Sequence, residues 1–339
     1  MMARNLTLCL ACFHGTFAVV SSTFGFVSHA SAQSIRLGMP IACEPGRTCY
    51  IQNYVDADPS PSAKDYKCGT LTYDAHNGTD FRVPSLQAQQ AGVEVLAAAN
   101  GRVLRMRDGA PDGLFRRSTR EAVRDVECGN GVVVEHAEHW ETQYCHLASG
   151  SLQVKPGDVV KVGQPLGRVG LSGLTEYPHL HFTVRHESTV VDPFAYGAAP
   201  HSCGGGEFLW DPSLRAQLAY QERTILNAGF TSRPVTMDLI EDGKAEKESL
   251  SADAPAIVAF VRAIGLKAGD VQWLAVKDPA GHVIAENRTA PLEKDKAQSM
   301  LFAGRKRPTS GWDPGNYKAT YIVEREGQVV LKRDLETTL

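Results

Sequence analysis

His179-Leu180-His181-Phe182-Thr183-Val184-Arg185 alternates between polar and apolar residues. Successive side chains of a β-strand point to opposite faces. As a strand, this stretch puts His179 and His181 on one face and Leu180, Phe182 and Val184 on the other. Two imidazoles side by side on a sheet, backed by apolar residues, suit a site that holds a metal ion or moves protons. The pair alone fits two half-exposed surface histidines equally well, so the reading turns on the rest of the chain.

Working outward, residues 71–200 read as many short strands. Residues 93–97, 101–106 and 131–136 are the clearest, and 101–106 alternates as a half-buried strand does. Cys203-Gly204-Gly205-Gly206 punctuates the chain, and Asp211-Pro212 favours a turn soon after. Beyond it strands resume at 235–240, 256–261, 271–276 and 317–323. Asp278-Pro279-Ala280-Gly281 and Arg325-Glu326-Gly327-Gln328 read as hairpin turns. Regular strand-turn spacing predicts a β-sandwich, Ig-like in class, over 207–339. Residues 33–70 hold four prolines, lack periodicity and read as an irregular lead-in containing cysteines. Residues 107–127 read as a charged loop with a short helix.

The 339 residues are 43% hydrophobic and 22% charged with a net charge of -3, as in ordinary globular proteins. That balance gives no bulk attraction to nucleic acid or to an anionic membrane. Arg4, the apolar run over 6–20 and Ala30-Ser31-Ala32 form the pattern of an export signal, predicted to cover residues 1–32. An uncleaved membrane anchor is the alternative, but Ser, Thr, Gly and His14 dilute the run. Six cysteines follow: Cys43, Cys49, Cys68, Cys128, Cys145 and Cys203. An even set in an exported chain predicts disulfides, with Cys43–Cys49 and Cys128–Cys145 as the local pairs to try first. A cysteine zinc cluster is disfavoured, because Cys-x-x-Cys spacing occurs only at Cys9 and Cys12, inside the signal.

Two further segments carry chemistry. His76-Asn77-Gly78-Thr79-Asp80 brings a histidine and a carboxylate to one cation if Gly78 allows a sharp turn. Tyr144-Cys145-His146-Leu147 alternates like a strand and adds another histidine. A catalytic zinc site has three protein ligands and one open position, a count that two histidines and one aspartate satisfy. Zinc lowers the pKa of a bound water to roughly 7. The remaining histidines then serve proton transfer and the developing oxyanion. Spacing alone does not say which member of His179-x-His181 binds the metal.

These segments, in this order, resemble the M23 (lysostaphin or LytM-type) peptidoglycan endopeptidases. The likeness rests on His76-x-Gly78-x-Asp80-Phe81, Tyr144-x-His146-Leu147 and His179-Leu180-His181-Phe182. Framework residues also match: Asn100-Gly101-Arg102-Val103, Gly129-Asn130-Gly131-Val132 with His136, and the hairpin over 154–167. The resemblance covers residues 71–193. It implies an antiparallel β-sheet peptidase domain over 71–203, zinc ligands His76, Asp80 and His181, and catalytic roles for His146 and His179. It further implies a peptidoglycan peptide as substrate and a periplasmic location. The approach to His179, Gly170-Leu171-Ser172-Gly173-Leu174-Thr175-Glu176-Tyr177-Pro178, departs from the family's Gly- and Ser-rich pattern. The 107–127 stretch is longer than the shortest members need.

Two other functions compete. One is a non-catalytic regulator or wall-binding protein on the same fold. The other is a lipoyl- or biotinyl-carrier-like domain, for which the chain lacks a Met-Lys-Met or Asp-Lys attachment hairpin. His136 reads as framework and His139 and His186 as surface residues, while His201 and His282 lie outside every motif. Beyond residue 207, Asp238, Asp242, Asp253 and Glu286 are scattered. Trp273, Trp312 and Tyr317 form either a ligand-binding face or core. That domain is expected to position the chain on the wall or bind an envelope protein, and the chain to be a monomer.

Overall fold

The computed structural model describes residues 1–2, 34–113 and 124–339. The export signal and most of the 107–127 stretch lie outside the described residues. Among the described residues no helix is long and apolar enough to cross a membrane. Residues 34–339 form one compact unit.

The chain is mainly β. Its first part runs β1 (Tyr50–Asn53), β2 (Thr79–Arg82), α1 (Leu86–Gln90), β3 (Glu94–Leu96), β4 (Gly101–Arg107), β5 (Asn130–Glu135), β6 (Trp140–Leu147), β7 (Val159–Val160), β8 (Pro165–Arg168), β9 (His179–His186) and β10 (Thr189–Val191). The main sheet is antiparallel in the order β1-β2-β9-β6-β5-β4-β7, with β10 also on β9, and β3 pairs β8 in a small second sheet. One face of the main sheet is apolar because the alternation is strict at its centre. Phe81, Leu180, Phe182 and Tyr144 are each 0% exposed, and Trp210 closes over them. Burying each such side chain contributes about 2–3 kcal/mol. The opposite face of β2, β6 and β9 is left for the polar residues.

Residues 33–70 are less irregular than their composition suggests. They supply the edge strand β1, whose Ile51 and Asn53 pair with Phe81 and Asp80. Three disulfides form: Cys43–Cys49, Cys128–Cys145 and Cys68–Cys203. The first two are the local pairs expected from spacing. The third ties the N-terminal segment to the glycine-rich boundary.

The second part contains β11 (Thr224–Thr231), α2 (Met237–Asp242), β12 (Ala256–Leu266), β13 (Val271–Lys277), β14 (Val283–Arg288), β15 (Lys296–Lys306), β16 (Asn316–Arg325) and β17 (Gln328–Thr338). Sheets β11-β12-β15 and β14-β13-β16-β17 are antiparallel and share one core, including Ile257, Ala259 and Val261 from one and Leu274, Val276 and Tyr321 from the other. This is a β-sandwich. Residues 235–240, expected as a strand, instead lead into α2. The Thr236 hydroxyl accepts from the Leu239 amide at the N-cap, and Gly243 ends the helix with φ +79°. Both are helix-terminus signals that outweigh the β-branched composition.

The outer face of β12 is buried as well. Phe260 packs on Ile240, Val235 and Ala245. Arg262, 1% exposed, donates to the Pro84 carbonyl and to Glu241. Glu241 also accepts from Arg82 at 3.1 Å. The sandwich is therefore joined to the main sheet of the first part through a buried ionic cluster. Trp273, Trp312 and Tyr317 do not form a common face: Tyr317 is buried, Trp312 packs edge-on against it, and Trp273 donates to Glu286.

Candidate active site

Register places the polar residues of three strands together. Asp80 pairs with His181 and Arg82 with His179 across β2 and β9. Cys145 pairs with His181 and Gln143 with Thr183 across β6 and β9. Residues directly opposite in antiparallel strands share a face, so this face carries Asp80, Cys145, Gln143, His179, His181 and Thr183. It floors a groove of about 330 Å³ whose lining includes Tyr73, His76, His146, His181 and Arg185.

His146 joins this face by breaking the strand's alternation. Between Asn130↔Leu147 and Val132↔Tyr144 the register shifts, so Cys145 and His146 together oppose Gly131. That is a β-bulge, which re-aims a side chain at the cost of one unpaired residue. His146 has φ +63°, a left-handed conformation uncommon for a residue with a side chain. Gly131 lies so close to its neighbour that a Cβ would sit 2.6 Å from the Tyr144 carbonyl oxygen. The even alternation expected for Tyr144-Cys145-His146-Leu147 therefore fails at its most important residue. Without the bulge His146 would point the way Tyr144 does, into the core.

Three donor atoms converge at the centre. His76 Nε2 is 3.2 Å from Asp80 Oδ1 and 3.2 Å from His181 Nδ1, and His181 Nδ1 is 2.9 Å from Asp80 Oδ1. Each group is held from behind. His76 Nδ1 lies 2.6 Å from the Tyr54 carbonyl oxygen, which can only accept, so that nitrogen carries the proton and Nε2 is a bare lone pair. His181 Nε2 faces the Asn77 amide oxygen at 3.0 Å and the Thr183 hydroxyl at 3.1 Å, which assigns its proton to Nε2 and bares Nδ1. Asp80 Oδ2 accepts from Asn53 Nδ2 at 2.8 Å, leaving Oδ1 turned inward.

Two imidazole lone pairs and a carboxylate oxygen thus face one another with every supporting hydrogen bond already made. Such an arrangement is repulsive unless a positive charge lies among the atoms. The electrostatics agree. Burial alone would raise the Asp80 carboxyl, but the surrounding histidines hold it well below the usual range. Burial opposes protonation of His76, yet Asp80 raises it above its ordinary value. Neutral imidazole and carboxylate oxygen are the ligands zinc takes, so these three residues fit a divalent ion.

The other two histidines flank the centre. His179 Nδ1 is 2.9 Å from the Tyr177 carbonyl oxygen and 3.0 Å from the Thr175 hydroxyl, while its Nε2 lies 3.5 Å from Asp80 Oδ1. His146 Nδ1 is 2.9 Å from the Ser172 carbonyl oxygen. Both rings therefore carry the proton on Nδ1 and keep Nε2 as a base. Their centroids are 4.6 Å apart. Burial pushes both below the ordinary histidine range, His146 well below, with neighbouring histidines adding to the effect. Neutral rings at neutral pH are what proton acceptance requires.

Several supporting residues escaped the sequence reading. Thr183 was accessible from strand phase, two residues past His181. Asn53 and the Tyr54 carbonyl were not, since they lie more than twenty residues before His76 in a segment without periodicity. Tyr177, noted as a departure near the groove, stacks under the Arg82 guanidinium at 4.1 Å and its hydroxyl accepts from Asn53 at 3.1 Å. Gly78 matters for closeness, with no left-handed turn involved: a Cβ there would sit 2.6 Å from His181 Nε2. His136 is framework, bridging the Asn100 carbonyl and Thr142. His186 stacks on Trp140 and bonds the Tyr196 hydroxyl.

Residues 74–193 match the model of Peptidase family M23. Over 117 residues, 34% of this chain, the sequence is 32% identical to the peptidoglycan DD-endopeptidase ShyB of Vibrio cholerae and spans 22% of that protein. It is likewise 32% identical over 117 residues to the cell division protein DipM of Caulobacter vibrioides, spanning 15% of it. The chain thus matches about a fifth of the length of these curated relatives. Among solved structures, a zinc containing peptidase from Vibrio cholerae is 29% identical, with 42% of this chain and 38% of that one covered and a TM-score of 0.27.

Proposed function

With an M23 peptidase domain over residues 74–193, we propose that this chain is a zinc metalloendopeptidase that hydrolyses the peptides of peptidoglycan. The observation that carries the reading is the convergence of His76 Nε2, Asp80 Oδ1 and His181 Nδ1, each backed by a committed hydrogen bond. In this reading these three hold the zinc. When bound, the ion supplies Lewis acidity and brings the pKa of a water to roughly 7.

The chain's own residues do the rest. Asn53, Tyr54, Asn77 and Thr183 keep the three donors aimed, the outer-sphere role that commonly sets affinity. His146 and His179 present neutral Nε2 atoms on one flank of the centre. One accepts the proton of the attacking water and passes it to the departing amine. The other, once protonated at Nε2, donates to the negative oxygen that develops on the scissile carbonyl. The groove floor aligns an extended peptide along β9.

Disulfides fit an oxidising compartment, and the export signal expected over residues 1–32 supports the periplasm. We assign residues 71–203 to the peptidase domain and 207–339 to the β-sandwich. Peptidoglycan peptide is the substrate partner; nucleic acid is not. The test is incubation of the purified mature chain with isolated wall sacculi, with and without a chelator, and mass spectrometry of released fragments. Chelator-sensitive release of cleaved peptides is expected. Absent or chelator-insensitive release would favour the non-catalytic regulator.

A further inference from the structure

We propose that Arg185 forms a carboxylate-binding subsite in the groove and selects peptide substrates bearing a free carboxylate a few residues from the scissile bond. The proposal rests on the hydrolytic reading above and names a feature of its substrate.

Along β9 the groove is lined by His181, Thr183 and Arg185 in succession, every second residue of one strand face. At about 3.3 Å per residue, the Cα atoms of His181 and Arg185 are roughly 13 Å apart. That is the span of about four residues of an extended peptide lying along the strand. Arg185 lines the same groove as His76, His146 and His181.

Its guanidinium is held ready. Arg185 Nη1 donates to Gln143 Oε1 at 2.7 Å. Gln143 is itself oriented from the other side, its Nε2 lying 3.4 Å from Cys128 Sγ and 3.2 Å from Cys145 Sγ of the groove-lining disulfide. The amide therefore turns its oxygen to the arginine and fixes one edge of the fork. Nε and Nη2 have no protein partner among the described residues. An arginine fork with a free edge matches a carboxylate with two parallel hydrogen bonds.

Charge points the same way. Arg185 makes no ion pair among the described residues. Its cross-strand neighbour is Glu141. Glu141 is instead paired with Arg105 at 3.7 Å. Glu141 acts on Arg185 only at a distance, so Arg185 has no carboxylate in direct contact among the described residues. Glu127, an acidic side chain that also lines the groove, accepts from the Asp125 amide and keeps its charge, but it makes no ion pair with Arg185 among the described residues. Burial depresses Arg185 somewhat, as for a cation partly withdrawn from water without full compensation. A substrate carboxylate supplies the missing partner.

The test uses zinc-loaded mature chain and pairs of synthetic peptides identical except for one carboxylate or carboxamide, walked along successive positions on either side of the scissile bond. Both kcat/KM and affinity, by calorimetry, are measured for wild type, Arg185→Gln and Arg185→Lys. At one position wild type should prefer the carboxylate by roughly 10- to 100-fold, mainly through KM. Arg185→Gln should bring that ratio close to one, and Arg185→Lys should restore part of it. A wild-type ratio near one at every position, or a ratio unchanged in Arg185→Gln, overturns the subsite. If no peptide is cleaved the hydrolytic reading fails, and the affinity ratio still decides the subsite.

Discussion

His181 and His179 stand two residues apart on the same strand face, yet their surroundings divide them. His181 Nδ1 is 2.9 Å from Asp80 Oδ1 and its Nε2 is tied to Asn77 and Thr183. His179 Nε2 stands off at 3.5 Å, and its ring is anchored behind by Tyr177 and Thr175. Removing His181 deletes one of three convergent donors, so His181→Ala should lose bound zinc. His179→Ala should keep the metal and lose turnover by roughly 10²- to 10⁴-fold, the usual weight of a proton-transfer group. Metal content by atomic spectroscopy and kcat on a cross-linked peptide check both. Full zinc and full rate in the two variants together would refute the division of roles. At this scale the sequence was informative: two-residue periodicity put both rings on one face. It left open which ring binds the ion, because that depends on Asp80, about a hundred residues away in the chain.

The elements hold the site through irregularities that periodicity does not display. The bulge opposite Gly131 gives His146 its φ of +63° and turns it out of the core. A pattern of alternating residues hides such an insertion, since the extra residue only becomes visible once the partner strand is known. The residues 235–240 mislead in the opposite sense. Val, Thr and Ile favour strands, but Thr236 and Gly243 cap a short helix that covers Phe260. Edge strand β1 carries a further lesson. It is only four residues long, and its last residue donates to the outer oxygen of Asp80 at 2.8 Å. Asn53→Ala removes that bond and also leaves the Tyr177 hydroxyl without its donor. Zinc affinity should fall by about 10- to 100-fold, as for loss of other second-layer partners of a ligand. Competition with a calibrated chelator measures it, with circular dichroism to verify that the fold persists. An affinity unchanged within twofold would mean that Asp80 needs no support from β1.

On the scale of the whole molecule, two β-rich parts were readable from strand spacing and the glycine run at 204–206, but their fusion was not. The ionic cluster that joins them links Arg82 to Glu241 and Arg262 to the Pro84 carbonyl, residues more than 150 positions apart, through charged side chains that sequence reading assigns to the surface. Arg82, Glu241 and Arg262 are 1%, 5% and 1% exposed. Burial and the nearby Arg262 draw Arg82 down to about 10 despite the carboxylate of Glu241. The cluster also reaches the site, because Arg82 lies over Tyr177, which shares Asn53 with Asp80. Glu241→Ala would leave two guanidiniums buried without their shared anion. Breaking a buried pair in this way costs about 3–5 kcal/mol. The loss should appear in calorimetry as a lower midpoint of a single transition, because sheet and sandwich are stabilised by the same interface. Replacing the trio together by Arg82→Met, Glu241→Leu and Arg262→Met should cost less than Glu241→Ala alone, since no uncompensated charge remains. Separate transitions for the two halves of the wild-type chain, or a Glu241→Ala penalty below about 1 kcal/mol, would show that the ionic cluster does not bind them into one cooperative body.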